Sequence, residues 1–180
     1  MGDLHVTEAL GLAFGDQFAG IPEYIMAFAK ARGTAVHAAC HYDDEGDLDG
    51  GSLDEEVRPY LLAWRRFKAE SGAEVVGAEI SVASKRHRFV GTLDRVLIVN
   101  GNLCVADLKA TASISPLVAL QTAGYQIAWE EERRGKIGVR CCVQIRGDAT
   151  YRVEWYREKT DKAVFLAAVT VAQWKRKWRV

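Results

Sequence analysis

The sequence predicts an α/β (α+β) domain: a mixed central β-sheet, with an antiparallel hairpin over residues 91–109, flanked by helices. Three observations predict it. Asn100-Gly101 sits between two β-branched, apolar runs, the strongest short-range hairpin signal. Residues 75–84 alternate, with Val76, Ala78, Ile80 and Val82 on one face and Glu79 on the other, which adds a strand before the hairpin. Apolar residues recur at helical spacing on both sides of this unit. Val57, Tyr60, Leu61, Trp64 and Phe67 precede it; Leu117, Leu120, Gly124, Ile127 and Ala128 follow it.

Residues 1–20 carry weak signals. Pro22 fits the first turn of a helix running through Tyr24, Ile25, Phe28 and Ala29. Gly33-Thr34 either breaks this helix or lies within it, and the alanine-rich run to Tyr42 is helical. There His37 and His41, four apart, share a face. They are either a two-histidine metal clamp or one packed and one solvated side chain; the alanines and valine around His37 turn it inward. Residues 43–52 form an acidic, glycine-rich connector without the spacing of a calcium loop. Ser52 and Glu55 suit a capping box for the next helix, although Pro59 leaves its start ambiguous. Arg65, Arg66 and Lys68 lie on or beside the opposite face, as a solvated face or a phosphate-facing patch.

After the hairpin, Ser115 as N-cap and Pro116 at the first helical position start another helix. Arg133 and Arg134 fall in its last turn and Gly135 at its C-cap. Gln121 and Tyr125 lie along the edge of its apolar stripe, where they either cap the core or reach over the strand ends. Residues 137–146 and Tyr151–Tyr156 read as strands joined by a Gly147-Asp148 turn. A last helix, about residues 159–178, has Val164, Leu166, Ala167, Val171 and Trp174 as its apolar side. Its tail mixes charge with aromatics, as a nucleic-acid contact or a solvated basic end.

At 180 residues the chain fits one domain: a helical N-terminal region over 1–56, a core over 57–158 and a C-terminal helix over 159–180. Lysine plus arginine equal aspartate plus glutamate at 24 each, so any polyanion must be met by a local patch. There is no apolar run of membrane-spanning length and no export signal, so the expectation is a cytoplasmic protein with no membrane partner. The cysteines, Cys40, Cys104, Cys141 and Cys142, lack C-x-x-C spacing and read as free thiols.

The chemistry converges on the hairpin. If Asn100 and Gly101 form a two-residue turn, Val99 faces Asn102 and the pairing continues to Asp94 opposite Asp107. That pair is of the closer, non-hydrogen-bonded type, with Cα atoms about 4.5 Å apart. Like charges placed opposite each other destabilise a sheet, and a divalent cation with oxygen ligands offsets the repulsion. Lys109, two residues beyond Asp107, shares its face. A carboxylate pair with an adjacent ammonium suits phosphodiester hydrolysis. A solvated face carrying Asp, Asp and Lys has the same spacing. A turn centred between Arg86 and His87 sets Glu79 opposite Asp94 as a third acid.

The order helix, three strands, helix, strand, with these residues on it, resembles the PD-(D/E)XK nuclease superfamily. The nearer resemblance is to the branch of RecB-type domains, CRISPR adaptation nucleases and phage exonucleases. Gly33-Thr-Ala-Val-His37 resembles the branch's helical histidine motif, Gly91-Thr-Leu-Asp94 its Gly-x-x-Asp motif and Asp107-Leu-Lys109 its Asp-x-Lys motif. Gln121-Thr-Ala-Gly-Tyr125 resembles its Gln-x-x-x-Tyr motif. Glu79 stands where many members carry an upstream acid.

The resemblance implies a restriction-endonuclease-like core and a metal-dependent deoxyribonuclease, in particular an exonuclease. The alternative on the same fold is a catalytically silent DNA-end-binding module. The resemblance also implies that His37, Asp94, Asp107 and the Leu108 carbonyl hold one or two Mg²⁺ or Mn²⁺ ions, with Glu79, Asp94, Asp107 and Lys109 catalytic. Gln121 and Tyr125 would position DNA or brace the site. Single-stranded or duplex-end DNA is the implied partner. Phage relatives add a recombination or single-strand-binding protein and a homo-oligomer as further expectations. Cys40, Cys141 and Cys142 do not reproduce the cysteine pattern of the iron–sulfur members, so no cluster is expected.

Overall fold

The computed structural model describes residues 3–15, 20–132 and 134–180. Two short elements that the sequence did not announce come first: strand β1 (Leu4–His5) and helix α1 (Val6–Phe14). Helix α2 (Glu23–Glu45) is continuous, so Gly33-Thr34 lies within it. Helix α3 (Arg58–Ser71), strands β2 (Glu74–Ser84), β3 (Phe89–Val99) and β4 (Asn102–Lys109), helix α4 (Leu117–Glu131), strands β5 (Val139–Ile145) and β6 (Tyr151–Tyr156), and helix α5 (Thr160–Trp178) follow.

The six strands form one mixed sheet in the order β1-β3-β4-β5-β6, with β2 on the other edge of β3. The Asn100-Gly101 turn forms with both residues at positive φ, 50° and 74°, the backbone a type I′ turn demands. It fixes the expected register, from Val99/Asn102 to Arg95/Ala106. The β2–β3 register is also as expected, from Ser84/Phe89 to Gly77/Val96.

Two departures from ideal pairing matter. β1 pairs with the Phe89 end of β3 and β4 with the other end, so residues 91–94 carry no ladder partner on that edge. Leu93 and Val96, three apart, both join the core beside α4, while Arg95 stacks on Trp64 beneath α3. The pleat therefore slips at Asp94-Arg95. On β2 a bulge between Val75 and Gly77 turns Val76 outward, 52% exposed, off the face expected of it.

The sheet is covered on both sides. One core joins α1, α4 and α5 through Leu10, Leu93, Val96, Val105, Tyr125 and Phe165. The other joins α2 and α3 through Val36, Cys40, Trp64, Phe67, Leu97 and Leu108. Tyr125 lies so close over β3 that a Cβ on Gly91 would stand 2.6 Å from its ring and 3.1 Å from Val6. Gly91→Ala is expected to destabilise the fold by about 1–3 kcal/mol, because neither neighbour can move without disturbing the core; urea denaturation measures it.

Several local expectations are corrected. The Ser52/Glu55 capping box does not form; α3 begins at Arg58, its N-cap Val57 makes no side-chain cap, and Ser52 donates to the Asp49 carbonyl instead. Arg65 and Lys68 do not face a phosphate site. They pair with Asp43 and Asp44 at the end of α2, and Arg66 pairs with Glu70. α4 begins at Leu117, with Pro116 at the N-cap, and ends at Glu131, short of Gly135; Arg133 lies outside the described residues. On α5 the core face is Phe165, Ala168, Val169 and Ala172; of the expected stripe Leu166 packs against that core, while Val164, Ala167, Val171 and Trp174 face outward.

The α2–α3 clamp has a pH signature. Burial pushes the Asp43 carboxyl up, but Arg65 and Lys68 outweigh that and hold it below the usual range. A carboxyl lowered on folding contributes stability above its unfolded value and loses it as pH falls through the folded one. The melting temperatures of the native chain and Asp43→Asn are expected to differ at neutral pH and converge in acid.

Candidate active site

The site lies where the β3 edge opens. Asp94, one step beyond the last paired residue, uses a carboxylate oxygen to accept the Leu108 backbone N–H at 2.8 Å. The Leu108 carbonyl accepts from His37 Nε2 at 2.9 Å. This contact brings α2 onto the end of β4. His37 Nδ1 then lies 3.8 Å from Asp94 Oδ2 and 3.9 Å from Glu79 Oε1. Ligand atoms of His37, Glu79 and Asp94 all fall within 4.8 Å of one another.

Glu79 reaches this cluster through a distorted backbone. Its φ is +50°, rare for a non-glycine residue, and the β2–β3 ladder skips it between Ala78/Arg95 and Ile80/Leu93. The cost of that conformation is offset beneath it. Arg95, fully buried, donates to the Asp94 carbonyl at 2.7 Å, to Asp44 at 2.7 Å and to Glu79 at 3.4 Å, and lies over the Trp64 ring. Asp44 in turn accepts from Trp64 Nε1 and Lys68. Sequence reasoning missed this support. Its one signal was a charged residue in an otherwise apolar stretch of β3.

Asp107 and Lys109 share a face, as the pleat requires, and form an ion pair in which Nζ lies 3.0 and 2.8 Å from the two carboxylate oxygens. Asp107 is fully buried, with the Cys142 thiol 4.0 Å behind it. Burial pushes the Asp107 carboxyl up, against the pull of Lys109. Burial also lowers Lys109, but Asp107 and Asp94 outweigh it and hold the amine above its ordinary value, as an ammonium. Burial lowers His37 as well, and the Glu79 and Asp94 carboxylates more than reverse that.

Gln121 Nε2 donates to the Tyr125 hydroxyl at 3.1 Å. Tyr125 is only 4% exposed, so its ring braces Gly91 and offers no stacking face. Burial raises its hydroxyl pKa, and the charges of Asp94 and Asp107 raise it further. His41 does not join the cluster. Its Nε2 faces Glu45 at 3.6 Å, and it lines, with Lys30, Thr34, His37 and Glu79, an open cleft of about 480 Å³.

The residues fit a divalent metal. Two carboxylates and the Nδ1 side of an imidazole lie together, an oxygen-rich set that hard cations take, with one nitrogen ligand that leans toward Mn²⁺; the Leu108 carbonyl sits on the other ring nitrogen, and Asp107, paired with Lys109, lies outside the group. All four cysteines are free and buried; Cys104 and Cys141 touch across β4 and β5 with sulfurs 3.6 Å apart.

A mixed sheet covered by helices, with carboxylates and a lysine at the parting of two strands, defines a class that comparison with known proteins identifies. A profile of the PD-(D/E)XK nuclease superfamily matches residues 51–179, and the chain belongs to that superfamily. His37 precedes the matched segment and joins it through Leu108. A solved candidate exonuclease from Eubacterium rectale has the same fold, with a TM-score of 0.60 at 10% identity over 97% of this chain and 82% of that one. An alkaline exonuclease from Laribacter hongkongensis gives 0.46 at 12% identity over 99% and 94%. No curated protein matches the chain. Among the described residues no helix is long and apolar enough to cross a membrane.

Proposed function

We propose that this protein is a metal-dependent deoxyribonuclease acting as an exonuclease. The observation that carries the reading is the His37–Glu79–Asp94 cluster, with the Asp107–Lys109 pair beside it and the Leu108 carbonyl bonded to His37. His37, Asp94 and Glu79 would hold Mg²⁺ or Mn²⁺, with Asp107 and the Leu108 carbonyl on β4 as further ligands. Such an ion, when bound, makes its water acidic and polarises the scissile phosphate.

The chain's own residues do the rest. Lys109, paired with Asp107, orients the attacking water or helps deprotonate it, or stabilises charge developing on the phosphate. Arg95 keeps Glu79 aimed at the cluster. Tyr125, packed on Gly91, fixes the strand that presents Asp94. The exonuclease assignment follows the naming of the Eubacterium rectale structure as a candidate exonuclease.

The test is incubation with end-labelled single- and double-stranded DNA, in Mn²⁺ and in EDTA. Stepwise release of nucleotides in Mn²⁺, abolished by EDTA, is the expected result. DNA bound but left intact in both conditions would instead establish a silent end-binding module.

A further inference from the structure

The tail of α5 carries a surface that the reaction above does not use. Trp174 and Trp178 stand one helical turn apart on its outer face, 57% and 59% exposed. The β2–β3 turn is pinned beside them, because Gln173 donates to the His87 carbonyl at 2.8 Å. Arg88, Trp174 and Lys177 line one cleft of about 280 Å³, with Asp3 at its rim. Lys177 Nζ lies 5.3 Å from the Trp178 ring centre.

Charge gathers here although the whole chain sums to zero. Lys85, Arg86, Arg88, Lys177 and Arg179 form no ion pair with a carboxylate among the described residues. Asp3 is the acid in the cleft itself, and two further carboxylates nearby are occupied. Glu8 binds Arg176, and Glu131 accepts from Ser84 Oγ and the Arg86 backbone N–H.

We propose that this surface is a second DNA contact that grips an unpaired strand upstream of the cleavage site, a proposal that rests on the nuclease reading. Exposed indoles interleaved with cations stack bases and neutralise phosphates. A duplex hides its base faces, so the occupant is a single strand. Arg88 adjoins Phe89, five residues along β3 from Asp94, roughly 17 Å of extended chain. A short run of unpaired nucleotides, which extend further per step than the stacked bases of a duplex, is long enough to span that distance.

The test uses the full chain and two variants, Trp174→Ala/Trp178→Ala and Lys177→Glu/Arg179→Glu. All four side chains are exposed, so the fold should survive. Anisotropy of a fluorescein-labelled oligothymidylate of about 20 nucleotides, in EDTA, should show binding weakened roughly tenfold in the first variant. The second should bind more weakly and with a shallower salt dependence. Both should cleave fragments too short to reach the tail as the native chain does, and lose rate on long strands. Unchanged affinity for the long strand in both variants overturns the proposal, as does a preference for duplex that the same substitutions remove. The binding arm stands without cleavage. A native chain that binds through this surface but cuts nothing in Mn²⁺ refutes the nuclease reading and retains the anchor. Variants that cut and bind long strands normally do the reverse.

Discussion

Asp107→Ala and Lys109→Ala are each expected to lower Mn²⁺-dependent DNA cleavage by about a thousandfold or more, equal to roughly 4 kcal/mol of lost transition-state stabilisation. The two side chains form one unit, bonded at 2.8 Å at the buried end of β4, so the effects should not add. In the proposed reaction Asp107 is a further metal ligand, offered from a side chain with no exposed surface. Lys109, in the same proposal, supplies positive charge to the reacting phosphate. Asp107→Ala should keep its fold, because Lys109 retains partial access to solvent; Lys109→Ala strands a fully buried carboxyl and should also lose stability, less than an obligatory charge would because burial already favours the protonated acid. Single-turnover cleavage of labelled DNA, with circular dichroism as the folding control, decides it. Near-native rates in either variant would remove that residue from the reaction.

Asp44→Ala is the substitution expected to damage stability most. It leaves the Arg95 guanidinium fully buried, without its partner at Nε, in a site where Nη2 already lacks one. Breaking a buried pair from one side costs about 3–5 kcal/mol. The loss should extend to function, since Arg95 also holds the Asp94 carbonyl and Glu79. Urea denaturation should show the lowered midpoint, and the Mn²⁺ concentration needed for half-maximal cleavage should rise. Asp44→Asn, which can still accept from Arg95, should recover part of both.

Much of this site was legible in the sequence because it is local. Asn100-Gly101 fixes the turn and the turn fixes the register as far as Arg95/Ala106; the expected Asp94/Asp107 facing pair does not form, because the ladder ends one step short of it and Asp94 accepts from the Leu108 N–H instead. The pleat gave the Asp107–Lys109 face directly. What was not legible depends on contacts between distant segments. The slip at Asp94-Arg95 and the strained backbone of Glu79 answer to Asp44, fifty-one residues before Arg95. Residues 43 and 44 looked like the start of a solvated acidic loop and are instead the end of α2, holding Arg65, Lys68 and Arg95. The α5 stripe was misassigned for a simpler reason. That helix is apolar on two sides, and periodicity alone does not say which side the sheet takes.

The central claim is that His37, Glu79 and Asp94 form one metal site with β4. Titration of Mn²⁺ into the native chain, Asp94→Ala, His37→Ala and His41→Ala, followed by calorimetry, tests it most directly. The native chain and His41→Ala should bind the ion alike, while Asp94→Ala and His37→Ala lose it. Equal binding by all four, or a loss in His41→Ala as large as in His37→Ala, would contradict the site described.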